Sequence, residues 1–396
     1  MKPIVQCLMV LVTVLAGICA PPAAFAQKGK KPADGGGTSY AYTLTDLLGF
    51  PSQGYQSRAY FITNRDTADP DTGYPGGNVM VYGVSRIFID GRSEFHPALW
   101  RIAADGTFPA SDPLDSGLPT AARGVAVEGF SAMGYGVVRT DSSAEQDEDG
   151  HYLFPSYIDT LVGGFRELAD LDGGRNTSVS GANDFGEIIG AGSVGGLLWK
   201  IGPSGLPSAP ESLGRFYPTD INNYGVIAGE LDGYMAIAWV ESGTLQFTVL
   251  DSNLRANGAT VRAINDCARD DPSLTVVAES FRDEEGNYPS RRGLVWRPNN
   301  LNNELTVIGT FGGLRSAALG VNCVGEVVGW ANDAKGNWRA FRYFGGSLVD
   351  LNTQVDLGSQ TLNYATDIND DGDIVGWMQY PRPISEQRAY LLRPIP

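Results

Sequence analysis

The phrase that most limits what this chain can fold into is nine residues long and keeps returning: "ANDFGEIIG" (182–190), "INNYGVIAG" (221–229), "VNCVGEVVG" (321–329) and "INDDGDIVG" (368–376). Each copy has an Asn, a Gly three positions on and a second Gly four positions after that, anchored at Asn183, Asn222, Asn322 and Asn369. A degraded copy, "AINDCARDDPSLTVVAE", keeps Asn265 in register and carries an insertion before "TVVA". Fainter copies at 57–85 and 123–138 bring the count to seven. The spacing, about 40 to 57 residues, is the length of a propeller blade.

Two further landmarks fill each repeat. A short apolar stretch follows the phrase and often ends in Trp, at Trp100, Trp199, Trp239 and Trp296, with "RAFRY" (339–343) and "RAYLL" (388–392) in the same place. A last stretch ends near Asp-Leu, as in "RELADL" (166–171) and "SLVDL" (347–351). One repeat is therefore strand a, an Asn-x-x-Gly turn, strand b, a loop, strand c, a tight turn and strand d, which is a four-stranded antiparallel blade. The expected fold is an all-β propeller of seven four-stranded blades. The seventh repeat stops at "RAYLLRPIP" without a strand d, while "YAYTLTDLLGF" (40–50) is claimed by no repeat. An open ring exposes two strand edges. Tyr40 to Leu47 is therefore expected to pair with the last strand c and close the ring.

With "VIGTFGG" (307–313), "INDDGDIVG" and "HPALW" (96–100) on the page, the chain resembles the bacterial extracellular HAF-repeat proteins along most of residues 40–393. Of the namesake histidines it keeps His96 alone, and the first two repeats depart most from the pattern. The resemblance implies a propeller-like fold and no particular activity.

Residues 1–26 read as a secretory signal peptide: Lys2, an apolar run from Ile4 to Ala20, then "AFA" before Gln27, so cleavage is expected after Ala26. A lipobox would need a small residue where Ile18 precedes Cys19. Residues 27–39, rich in Lys, Gly and Pro, are expected to be a disordered leader, and 40–396 a single propeller domain. The expected location is secreted or periplasmic. Later in the chain no apolar run approaches the ~18 residues of a membrane span. With 29 basic against 45 acidic residues the net charge is −16, and the loss of Lys2 makes it −17. A field of that sign repels phosphates and argues against nucleic acid as a partner. Extracellular glycans, protein partners or cations fit better, and a monomer is expected.

"DINDDGD" puts Asp367, Asn369, Asp371 and Gly372 at the first, third, fifth and sixth positions of an EF-hand-like calcium loop. The twelfth position is Met378 rather than Glu, and the sister copies put Phe185, Tyr224 and Val324 where Asp371 stands. What recurs is turn chemistry, an Asn tolerant of positive φ and a Gly, so no cofactor is expected, and calcium is the one candidate weighed. Cys267 and Cys323, in neighbouring repeats, are a candidate disulfide; closing a loop of about 55 residues contributes ~4 kcal/mol. The two histidines, His96 and His151, offer little to a nucleophilic triad, and no catalytic residue is assigned.

Longer loops mark the candidate binding face. "RTDSSAEQDEDGHYLFPSY" (139–157), "FRDEEGNYPSRRG" (281–293) and "ANDAKGNWR" (331–339) fall between strands b and c, on the face also used by the d-to-a connections, while "NRDTADPDTGYPGG" (64–77) falls between a and b. They mix carboxylates with Tyr157 and other aromatic residues. The candidate ligand-binding residues are Asp147, Asp149, Tyr152, Asp283, Glu284, Tyr288, Arg291 and Trp338. Two function classes stay open: a binding or interaction propeller, and a secreted carboxylate-based enzyme such as a glycan hydrolase or lyase working at the axial funnel.

Overall fold

A computed structural model describes residues 41–50, 56–66, 76–89, 92–109, 112–117, 122–131, 135–143, 146, 153–160, 164–250, 259–280, 291–299, 303–381 and 386–395. Its strands form seven four-stranded antiparallel sheets, each taken from consecutive strands except the last. The protein is a seven-bladed β-propeller. Blade 7, built from Thr361–Ile368, Ile374–Gln379 and Gln387–Pro394, takes its outer strand from Tyr42–Leu47, in a register running from Tyr42 opposite Pro394 to Leu47 opposite Ala389. Closure by the N-terminal strand is thus as the orphan strand implied, starting at Tyr42 rather than Tyr40.

Burial follows the radial position of each strand. The middle strands are enclosed on both faces, as in Gly195–Lys200, where all but the last residue are buried, and so read as continuous apolar runs. The outermost strands, such as Thr244–Val249, are mostly exposed. The core is divided into seven clusters, and each lies between two neighbouring blades. Trp100 and Trp199 anchor two of them, each burying its ring and donating its indole N–H to a backbone carbonyl, Leu48 O at 3.0 Å and Ala169 O at 2.8 Å. No blade covers its own apolar faces, so a blade gains stability only in the ring.

The repeated phrase has a structural reason at each fixed position. The first Gly closes the a-to-b turn with φ between 68° and 81° at Gly186, Gly225, Gly325 and Gly372. The second lies in strand b where strand a comes closest: a Cβ on Gly376 would sit 2.0 Å from Tyr364 O, and one on Gly190 2.3 Å from Ser178 O. Strand a approaches this closely because it bulges. In all seven blades the a–b register skips one residue at this level, passing over Tyr60, Glu128, Ser180, Thr219, Arg262, Leu319 and Thr366.

The Asn works differently from the sequence expectation. None of the five adopts positive φ. Each is buried, and its side chain binds its own turn and the next blade together. Asn222 Oδ1 accepts from Tyr224 N and Val226 N, both at 3.0 Å, while Nδ2 donates to Asn265 O at 2.9 Å. The same handover runs from Asn183 to Asn222 O, Asn265 to Asn322 O, Asn322 to Asn369 O and Asn369 to Thr63 O, at 3.0 to 3.2 Å. This relay joins blades 3 through 7 to blade 1.

Two further expectations are corrected here. Cys267 and Cys323 are not bridged: both are free thiols, and Cys323 Sγ lies 3.0 Å from Asp266 O and Cys267 Sγ 3.7 Å from Cys323 O. Burial raises both pKa values, so the thiols stay protonated and donate within the turn relay. "ANDAKGNWR" is not an inserted loop, because Val327–Asp333 and Trp338–Phe344 run through it as paired strands with a short turn at Gly336.

Candidate functional site

A cavity of about 1300 Å³ follows the ring axis, and all seven bulge residues line it. Its wall is therefore set by the one position per blade that the a–b ladder leaves out. Those residues are chemically unlike one another, ranging from Leu319 through Ser180 to Glu128 and Arg262.

The calcium-like loop lies at the end of this channel bearing the Asn turns, and its oxygens are committed to protein donors. Asp367 accepts from Ile62 N at 3.0 Å and Ile368 N at 2.9 Å, so it latches blade 7 to blade 1. Asn369 Oδ1 accepts from Asp371 N and Asp373 N, Asp371 accepts from Arg65 N, and Asp373 pairs with Arg65 at 2.5 Å. Asp220 repeats the Asp367 arrangement between blades 4 and 5, accepting from Ile221 N and Ile264 N, both at 2.9 Å. Part of each residue's surface reaches the channel, but the carboxylates of Asp220 and Asp367 sit inside the wall, and burial pushes both up to about 7 against the pull of these bonds. Among the described residues no cluster of His, Cys, Asp and Glu is arranged to hold a metal ion. These acids hold blades together through their backbone bonds.

The opposite mouth, where strands b turn into strands c, is built from a second variable position, the residue just after the strand-b Gly or after Val138 and Ala278, which replace that Gly in blades 2 and 5. In blades 1 to 7 it reads Val84, Arg139, Ala191, Glu230, Glu279, Trp330 and Trp377. On one side of the mouth these residues pair with the bulge residues. Arg139 bonds Glu128 at 3.0 Å, and Glu279 is held by both Arg262 and Arg291. Glu230 stands half-buried beside Arg262, and burial raises its pKa and that of Glu128 above the usual carboxylate range.

The other side is aromatic. Tyr364 stacks on Trp377 with ring centroids 4.2 Å apart and an interplanar angle of 18°. Tyr60 of blade 1 lies 5.9 Å from Trp377. Trp330 and Trp338 of blade 6 meet Tyr364 from the other direction, at 5.7 Å and 5.1 Å. Guanidiniums end the row: Arg58 sits 5.5 Å from the Trp377 ring and Arg291 5.6 Å from the Trp330 ring. Trp338, at the rim, keeps 47 % of its surface exposed.

Of the residues singled out from the sequence, Arg291 and Trp338 are brought together in this row. Asp147, Asp149, Tyr152, Asp283, Glu284 and Tyr288 lie outside the described residues. His96 is structural: it is buried, and its Nδ1 is 2.9 Å from Asp115 in the outer strand of blade 1. Tyr157, grouped with the loop aromatics, is instead a buried strand residue packed between blades 1 and 2. Sequence reasoning missed Arg58, Tyr60, Trp330, Tyr364 and Trp377. For Trp330 and Trp377 the available signal was the position after the second Gly, where the repeat keeps its frame and changes its chemistry.

No protein-family model matches the chain, and no curated protein matches it in sequence. Among the described residues no helix is long and apolar enough to cross a membrane. Solved propellers are similar in fold alone. The β-propeller domain of the Trilobed protease from Pyrococcus furiosus aligns at 8 % identity over 85 % of this chain and 94 % of that one, with a TM-score of 0.46. The acylaminoacyl peptidase of Pyrococcus horikoshii aligns at 8 % identity over 85 % of this chain and 52 % of its own, with a TM-score of 0.44, so this chain spans about half of that protein. TolB from Acinetobacter baumannii aligns at 12 % identity over 82 % of both chains, with a TM-score of 0.34.

Proposed function

We propose that this protein is a secreted or periplasmic binding propeller of the HAF-repeat type, and that it takes a glycan across the b-to-c mouth. The observation that carries this reading is the aromatic row of Tyr60, Trp377, Tyr364, Trp330 and Trp338, which spans three blades. Aromatic faces pack against the C–H faces of pyranose rings, and the polar groups across the mouth supply partners for hydroxyls. Four of these rings, Tyr60, Trp377, Tyr364 and Trp338, are half-buried or exposed at the blade edges, with the buried Trp330 linking Trp338 to Tyr364, and blade packing alone does not need rings left open there. The secretory part of the proposal rests on residues 1–26, and N-terminal sequencing of protein recovered from the periplasm or medium should begin at Gln27. The binding part is tested on an array of extracellular oligosaccharides: at least one class should bind, and Trp377→Ala should abolish that binding in a folded protein. An array with no bound saccharide overturns it.

A second reading is a carboxylate-based glycan hydrolase or lyase. It is favoured by Glu128 and Glu230, two mouth carboxylates with raised pKa values that share Arg262 as a charged neighbour. Any saccharide that binds should then be cleaved, and Glu230→Gln should stop cleavage while leaving binding in place. Release of no new reducing ends or unsaturated products would sink this version alone.

A further inference from the structure

Resting on the glycan reading above, we propose that the mouth selects acidic saccharides, with the sugar carboxylate seated between Arg58 and Arg291 against the Tyr364 hydroxyl. The argument starts from the order of the stack. Arg58, Trp377, Tyr364, Trp330 and Arg291 follow one another across blades 1, 7, 6 and 5, so a phenol at the centre is flanked by an indole on each side and a guanidinium beyond each indole. A guanidinium over an indole is attracted to the ring face, which leaves its N–H donors for in-plane partners; Arg58 gives Nε and Nη2 to Gln387 and, among the described residues, keeps Nη1 for whatever lies alongside the ring.

Charge is the second part. In a chain of net charge −16, cations at a mouth are expected to be covered by acids. Arg58 is not. Its Nε and Nη2 both donate to the neutral amide oxygen of Gln387, at 3.0 Å and 2.7 Å, and among the described residues no carboxylate pairs with it. Arg291, at the far end, is held by Glu279, which also holds Arg262.

The third part is Tyr364 itself. Among the described residues its hydroxyl has no hydrogen-bond partner, although the residue is half-buried and both guanidiniums act on it electrostatically. The two fully buried tyrosines among the described residues, by contrast, do find partners, Tyr82 to Asp159 at 2.7 Å and Tyr390 to Tyr364 O at 2.7 Å. Burial pushes the Tyr364 phenol up to about 12, so it remains an O–H donor at any physiological pH. A donor between two cations and two aromatic faces matches a carboxylate carried on a flat, largely apolar ring face, which is the chemistry of a uronic acid. A peptide carboxylate would meet the same charges but would leave the flanking rings without a face to cover.

The test is an array on which each uronic-acid oligosaccharide is printed beside its carboxyl-reduced counterpart, probed with the full-length secreted protein and with Arg58→Gln and Tyr364→Phe. At least one acid form should bind about tenfold or more tighter than its reduced partner. Both substitutions should remove that difference, and raised salt should weaken wild type more than Arg58→Gln. Equal binding to acid and reduced forms, or an acid preference that survives both substitutions, overturns the carboxylate subsite and leaves the glycan reading standing. No saccharide bound by wild type overturns both.

Discussion

On one face of the ring, Asn183, Asn222, Asn265, Asn322 and Asn369 make the same bonds blade after blade. On the other, the position after the strand-b Gly reads Val84, Arg139, Ala191, Glu230, Glu279, Trp330 and Trp377. Both positions belong to the same repeat, at opposite ends of strand b's buried middle. The first is fixed because the bonds that recur in every copy go to backbone: an amide that accepts from its own turn and donates to the next blade's carbonyl works wherever the backbone geometry recurs. The second is free to vary because it touches side chains and solvent. Repetition in this protein therefore marks the joints, and departure from repetition marks the surface available for recognition.

The comparison extends to closure, and the largest effect is expected there. A chain beginning at Gln53 lacks the Tyr42–Leu47 strand, and with it the backbone ladder to Gln387–Pro394 and the fully buried Leu47 at the blade 7–blade 1 junction. It should lose its cooperative thermal transition. A melting curve like that of the full domain would show that the ring does not depend on this joint.

Next in size is the relay. Asn222→Ala removes an acceptor for two backbone N–H groups and the donor that reaches Asn265 O and Cys267 O at 2.9 and 2.8 Å. Buried backbone groups left without partners cost ~1–3 kcal/mol each, partly relieved by relaxation, so the variant should be destabilised by about 3 kcal/mol in chemical denaturation. Its glycan binding should match wild type, because the mouth is at the other end of the channel. If binding falls in proportion to stability, the two faces are not independent.

The mirror experiment is Trp338→Ala. The ring is half exposed and packs edge-on against Tyr364, so stability should change by less than about 1 kcal/mol while affinity for a bound saccharide falls about tenfold. A large loss of stability with affinity intact would reassign the aromatic row to packing.

The smallest effect concerns the channel acids. Asp367 has a folded-state pKa raised to about 7, above its ordinary value near 3.8, so between those pH values the folded state holds a proton that the unfolded state has released. Stability from this group is then fully present below about pH 4 and declines as pH rises toward 7. Asp367→Asn should flatten that part of the stability–pH profile relative to wild type, and Asp220→Asn should do the same at the blade 4–blade 5 joint. Parallel profiles for wild type and variant would mean that the backbone bonds to Ile62 N and Ile368 N keep the carboxylate ionised throughout.

Much of this architecture was legible before any coordinates. The Asn-x-x-Gly spacing indicated the blade count, the Trp-ended runs located strands c, and the missing last strand d pointed to Tyr40 to Leu47, of which Tyr42–Leu47 forms the strand. The role of the Asn was misread as positive-φ turn chemistry, since a single repeat shows its own turn and not the carbonyl of the next blade. Cys267 and Cys323 looked like a bridge because neighbouring slots in a period suggest neighbouring atoms. The relay instead directs their sulfurs to backbone oxygens.

The sequence by itself determined how many blades there are and which strand closes the ring, because those features rest on backbone geometry that repeats with the period. Only the tertiary structure decided the candidate site. Arg58, Trp377, Tyr364, Trp330 and Arg291 come from four blades and are separated by up to 319 positions in the chain, between Arg58 and Trp377. They meet because ring closure sets blade 1 beside blade 7 and because blades 5, 6 and 7 converge at one mouth, and no single repeat shows either of these.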